Sequence, residues 1–214
     1  MDVRSFTVGM VQENCYIARA SREATRAVII DPGDEAERLL GAIETLGVEI
    51  EAILVTHCHF DHIGAVAPVA RATGAPVYCP AAEVFMLEDI NSYTFPGMGP
   101  FENYTPEERL EGGEHLTLAG LDIDVLLTPG HSPGHVTYSI PDEQAAFSGD
   151  VLFQGSVGRT DLPGADWGTL LRSIGSLLDA LPDQTTIYPG HMAITTLGTE
   201  RGTTPFLTEL RAAR

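Results

Sequence analysis

The chain has 214 residues, a hydrophobic fraction of 43% and a charged fraction of 20%, so one globular domain over residues 1–214 with a sizeable core is expected. Its net charge of −18, with arginine as every basic residue and no lysine, argues against nucleic-acid and membrane partners, whose surfaces are anionic. Cys15, Cys58 and Cys79 show no CxxC spacing, which disfavours a disulfide framework or a zinc–thiolate site; the absence of a charged leader and of a membrane-length apolar run points to the cytoplasm.

The opening residues read as strands at "RSFTVGMV", "NCYIARA" and "RAVIIDPG", the last stopped by Pro-Gly. In "EAERLLGAIETLG", Leu39, Leu40, Ile43 and Leu46 fall at helical spacing and Gly47 ends the run. "EAILVT" is a short buried strand. "DHIGAVAPVARATG" reads as one helix of small residues, with Asp61 in its first turn and Gly74 closing it. "PVYCP" is another strand. Residues 88–112 have no periodicity and hold several prolines, glycines and aromatics. They read as a long connection or lid from which Tyr93, Phe95, Phe101 and Tyr104 could reach a substrate. Strands resume at "HLTL", "LDIDVLLTPG", "HVTYSI" and "QAAFSGD". "DWGTLLRSIGSLLDALP" is an amphipathic helix, "TTIYPG" a last core strand and "TPFLTELRAAR" a terminal helix. Strand runs with interspersed helices fit two sheets flanked by helices better than a strict βαβ alternation.

The histidines carry the functional signal. "THCHFDH" holds His57, His59, Asp61 and His62; "LLTPGHSPGH" holds His131; "AAFSGD" holds Asp150; "TTIYPGHM" holds His191. Each segment is a place where an apolar strand gives way to a turn. Metal-type ligands at four strand ends imply a site assembled along one edge of a sheet. In an extended segment, residues two apart face the same way, so His57 and His59 can grip one ion while Cys58 faces elsewhere and is not assigned as a ligand. Asp61 and His62, at the turn into a helix, can serve a second ion. His131 completes the first set, His191 the second, and Asp150 bridges. The expected centre is two divalent ions about 3.5–4 Å apart sharing a hydroxide. Asp61 would also orient that hydroxide, a catalytic role. Imidazole and carboxylate donors suit zinc foremost, with iron or manganese as alternatives. His135 opens a strand when the ligand set is already complete, and His115 reads as a surface residue.

The series HxHxDH, His131, Asp150 and His191 resembles the metallo-β-lactamase fold, in particular the short glyoxalase-II-like hydrolases without a helical C-terminal domain. "VQENCYIA", "GSVGRTDLPGAD" and "TTLGTERGTTPF" resemble segments of that group, although Thr204-Pro205-Phe206 stands where the group commonly has Asn-Pro-Phe. The resemblance implies an α/β fold, an αββα four-layer sandwich of two mixed sheets flanked by helices. It also implies hydrolysis of a small-molecule thioester of the S-lactoylglutathione kind. Thioesters suit a hydroxide nucleophile because a thiolate leaves without a proton. Arg159 and Asp161 in "GRTD" could form a buried pair that steadies the metal edge, or else anchor substrate. The larger glyoxalase II enzymes hold the glutathione carboxylates with basic residues of the extra domain, so a different thiol carrier is an alternative here. The main rival is a persulfide dioxygenase of the same fold, with one iron on the positions of His57, His131 and Asp150. A β-lactamase is disfavoured by the ligand pattern and the missing export signal, and a serine hydrolase by the absence of a Gly-X-Ser-X-Gly elbow. Nothing in the sequence indicates the oligomeric state.

Overall fold

A computed structural model describes residues 1–208 of the protein. Its first sheet is built from β1 (Asp2–Val8), β2 (Glu13–Arg19), β3 (Arg26–Ile30), β4 (Glu49–Leu54), β5 (Val77–Pro80) and β6 (Glu108–Leu110), in that spatial order. The hairpin and β2–β3 pair antiparallel, whereas β3 to β6 run parallel. The second sheet contains β7 (His115–Leu118), β8 (Leu121–Leu127), β9 (Val136–Ile140), β10 (Ala145–Gly149), β13 (Thr186–Pro189) and β14 (Thr195–Thr196), ordered β14-β13-β10-β9-β8-β7. Only β10–β13 is parallel there. A small hairpin, β11 (Leu152–Phe153) with β12 (Ser156–Val157), lies between β10 and the next helix.

Hydrophobic pattern decides the layering. Residues of β2, β3, β4, β9 and β10 are almost all buried, as strands covered on both faces must be. One face of each sheet meets the other through Tyr16, Val28 and Leu54 against Ile123, Tyr138 and Phe147. The outer face of the first sheet packs on α1 (Ala36–Leu46) and α3 (Val66–Thr73), with Leu39, Ile43, Val66 and Val69 against Ile29, Ile53 and Val77. The outer face of the second sheet packs on α5 (Trp167–Ala180) through Leu170, Ile174 and Leu177 against Ala146 and Ile187. The result is helix, sheet, sheet, helix: the expected four layers.

The helix expected from Asp61 to Gly74 is divided into α2 (Phe60–Ile63) and α3. The Ala65 N–H leaves the helical ladder and donates to the Pro32 carbonyl at 2.9 Å. Gly64 lies so close to Gly33 that a Cβ there would sit 2.4 Å from its carbonyl oxygen. Tertiary approach, not propensity, makes the break. The 9–12 stretch is a turn rather than strand, with Gly9 at φ +67°. Within 88–112 the chain forms a 3-10 turn at Ile90–Tyr93 and the edge strand β6. Short elements α4 (Val84–Glu88), α6 (Leu197–Thr203), β11, β12 and β14 carry too few residues for a periodic signal. Of the terminal helix, Pro205–Leu207 forms a 3-10 turn and the rest lies outside the described residues. Among the described residues no helix is long and apolar enough to cross a membrane.

Candidate metal centre

The loops that follow β4, β8, β10 and β13 converge at one end of the two sheets, as strand ends in a shared sandwich must. His57 and His59 point the same way from the extended segment after β4, and His57 Nε2 lies 3.1 Å from His59 Nδ1. Cys58 faces the other way and is fully buried, its Sγ 3.3 Å from that of Cys79. His131, beyond β8, brings its Nε2 to 2.8 Å from the same His59 Nδ1. Asp61 and His62 sit on α2. Asp61 Oδ2 is 3.3 Å from His191 Nε2 and 3.9 Å from His62 Nε2. Asp150 stands between the two groups. Its Oδ1 is 3.4 Å from His62 Nε2, and its Oδ2 is 3.5 Å from His131 Nε2 and 3.6 Å from His191 Nε2. The seven expected side chains are thus brought together. His57, His59 and His131 form one compact donor group; Asp61, His62 and His191 form another, with donor atoms inside each group within 4.8 Å of one another.

Hydrogen-bond partners set the imidazole tautomers. The Thr56 hydroxyl donates to Asp31 Oδ2 at 2.6 Å and so accepts from His57 Nδ1, 3.1 Å away. His131 Nδ1 donates to the Arg159 carbonyl at 2.8 Å, and His191 Nδ1 to that of Gln12 at 3.3 Å. His62 Nδ1 faces Asp31 Oδ2 at 2.9 Å. In the rings of His57, His131 and His191 the outward nitrogen carries the proton and the inward Nε2 presents a lone pair. His59 Nδ1 has at most one proton and cannot satisfy both His57 and His131. His62 Nε2 and Asp150 Oδ1 are buried without a hydrogen-bond partner. Converging lone pairs and carboxylates with no donor between them fit cations, and the outward bonds are the support that ligating imidazoles use.

The electrostatics separate the two donor groups. Burial drives His57 well below the ordinary imidazole range, and burial with the neighbouring His131 brings His59 down to about 4. Burial acts the same way on His62, but the neighbouring carboxylates of Asp150 and Asp61 and its hydrogen bond to Asp31 carry it well above that range. Burial opposes ionisation of Asp150, yet His62 holds its carboxyl well below the ordinary range. Space is tight. A Cβ on Gly190 would lie 2.3 Å from Asp150 Oδ1, so only glycine lets the loop of His191 pass this close. That loop is held from the first hairpin: the Asn14 side chain donates to the carbonyls of Pro189 and Met192 at 3.2 and 2.8 Å, and the Tyr16 hydroxyl to that of Pro189 at 2.7 Å.

One expectation needs correction. Arg159 and Asp161 do form an ion pair, at 2.6 and 2.7 Å, but it is exposed because both side chains project outward from the loop after β12. What steadies His131 is the backbone carbonyl of Arg159, not its guanidinium. His135 is more engaged than its position suggests. It is fully buried, its Nε2 accepts from the Asp150 N–H at 3.0 Å, and its Nδ1 faces Thr128 Oγ1 at 3.1 Å. His115 is exposed, beside Asp124.

Asp31 stands in "IIDPG", which reads in the sequence as a strand stop; an aspartate between an apolar strand and Pro-Gly is the only signal the sequence gives of its role. It is nearly fully buried, at φ +48°, and accepts from Thr56 as well as facing His62. Glu13 is another buried carboxyl, with Oε1 3.9 Å from His62 Nδ1, pushed well above the ordinary range by burial. Beside Asp61 opens a cleft of about 330 Å³, lined among others by Met10, Val11, Phe60, Met98 and Phe101, with Asp34 and Asp61 its only charged lining residues. Of the expected lid aromatics, Phe101 lines the cleft and Phe95 packs on Phe60, whereas Tyr104 packs against the outer core.

With this geometry in hand, comparison with known proteins gives a consistent result. Residues 8–191 match the family model described as the metallo-beta-lactamase superfamily. The chain is similar to the hydroxyacylglutathione hydrolase GloC of Haemophilus influenzae, 36% identical over 97% of this chain and 98% of that protein. It is also similar to the probable metallo-hydrolase YqgX of Bacillus subtilis, 40% identical over 97% and 98%. Among solved structures, the B3 metallo-beta-lactamase BLEG-1 superposes with a TM-score of 0.91 at 40% identity, covering 97% of this chain and 100% of that one. TTHA1623 in a di-iron-bound form does so with 0.81 at 43%, covering 95% and 100%. ETHE1 from Myxococcus xanthus reaches 0.75 at 26%, covering 96% and 84%. The chain therefore belongs to the metallo-beta-lactamase superfamily, as a metal-dependent hydrolase.

Proposed function

We propose that the protein hydrolyses a small-molecule thioester and holds two divalent ions to do so, zinc foremost. His57, His59 and His131 would hold one, Asp61, His62 and His191 the other, with Asp150 serving both. The observation that carries this reading is Asp150, whose two oxygens face histidines of both donor groups. Ions bound there supply a hydroxide at neutral pH and polarise a carbonyl. The remaining work belongs to the chain. Asp61 faces the centre from the cleft side, placed to orient the attacking oxygen, and the cleft takes an uncharged part of the substrate against Met98 and Phe101. Leaving-group chemistry supports a thioester over an amide. A thiol ionises near pH ~8.5 and departs as thiolate, whereas an amine needs a proton. No imidazole of the cluster is spare to donate one: His135 Nε2 accepts from Asp150 and the others face the donor groups. The name of the GloC relative points the same way.

The likeness to BLEG-1 favours one second reading, opening of a β-lactam ring at the same centre. Metal analysis of the purified protein with an activity panel tests both. The thioester reading expects two ions per chain and turnover of S-lactoyl thioesters. Ring opening of a β-lactam without thioester turnover would replace it with the second reading. One iron per chain with oxygen uptake on glutathione persulfide would overturn both in favour of a persulfide dioxygenase.

A further inference from the structure

Glu83 belongs to neither donor group, yet it is fully buried and touches both loops that carry the first one. It ends the 3-10 turn Ala81–Glu83 that follows β5. Its Oε2 accepts from the Cys58 N–H at 2.7 Å, and Cys58 sits between His57 and His59. Its Oε1 accepts from the Ser132 hydroxyl at 2.5 Å and from the Gly134 N–H at 2.7 Å, on either side of Pro133 in the loop of His131. Those loops leave different sheets, one after β4 and one after β8. Among the described residues, no basic side chain lies within ion-pair distance of Glu83. The carboxylate is bonded only by neutral donors, all from the two ligand loops. A buried charge placed so costs desolvation energy that an apolar side chain would not.

We propose that Glu83 is the positioning residue of the first metal position. Its carboxylate ties the His57–His59 segment to the His131 loop across the two sheets, fixing the spacing of the three nitrogens before an ion arrives. The inference rests on the two-position reading of the centre. Glu83→Gln keeps the size but must turn an NH2 group toward one of the backbone N–H donors, so one loop is released. Ser132→Ala removes a single donor and leaves nothing unpaired on the loop.

Cobalt(II) titration of the demetallated full chain, followed by absorption, tests this, with His59→Ala and His191→Ala marking the phase that belongs to each position. Expected for Glu83→Gln is binding about 10–100-fold weaker at the first position, with the second unchanged. Ser132→Ala should weaken the first position several-fold and leave the second alone. Should Glu83→Gln not fold, Ser132→Ala decides. Unchanged first-position binding, or equal weakening of both positions alongside a lower melting temperature, would overturn the role. If the native chain shows no two phases, or both histidine variants remove the same one, the metal-centre assignment itself fails, independently of Glu83.

Discussion

His59 Nδ1 lies within hydrogen-bond distance of both other imidazoles of the first donor group. His59→Ala should therefore abolish thioester hydrolysis and reduce bound metal, read by elemental analysis; native turnover and metal content in this variant would refute the assignment. Outside the two donor groups, exposed His115 shows the charge logic in simpler form. Its hydrogen bond to Asp124, at 2.8 Å, raises its pKa above the ordinary imidazole value. A raised value favours the charged ring, so the pair stabilises the fold below the unfolded pKa, near pH ~6.5, and loses that contribution as pH rises through the folded value. An NMR titration should place the His115 midpoint above the ordinary value and Asp124→Asn should bring it down. The residues of the two donor groups are legible from sequence because each follows a strand and a turn. Asp31, Glu83 and His135 are not, since their partners lie on other loops and only folding brings them together. The Arg159–Asp161 pair was legible as a pair, but its exposure depends on how the loop after β12 leaves the surface.

At the level of elements, long periodic helices and apolar strands are legible, whereas short helices, two-residue strands and a broken helix are not. The helix α5 declares itself by spacing, and the Asp166 side chain caps it by accepting from the Thr169 N–H at 2.7 Å. Its Ile174 is fully buried in the outer core of the second sheet. Ile174→Ala should cost about 2–5 kcal/mol, lowering the melting temperature by roughly 2–4 °C per kcal/mol at this size, while metal content stays native. Loss of metal alongside stability would mean that α5 supports the centre directly. The division of α2 from α3 was invisible to spacing because small residues from Asp61 onward keep helical character. Only the closeness of Gly33 and the acceptor at Pro32 make the chain turn there. That turn frees α2 to present Asp61 and His62 together.

For the molecule as a whole, the net charge of −18 sets a field that repels anions at every approach to the cleft. The kcat/KM for an anionic thioester should accordingly rise with ionic strength, while that for an uncharged thioester stays flat. Equal salt responses would place substrate capture beyond the reach of the overall charge. The sheets themselves divide the chain cleanly: β1 to β6 all precede residue 111, and β7 to β14 all follow residue 114. Neither part borrows a strand from the other, yet His57, His59, Asp61 and His62 come from the earlier one and His131, Asp150 and His191 from the later. A polypeptide severed between Gly112 and Gly113 should yield two fragments that recognise each other across the central interface. Zinc added to the mixture should tighten their association, whereas neither fragment alone should retain the ion, an outcome that equilibrium dialysis can read.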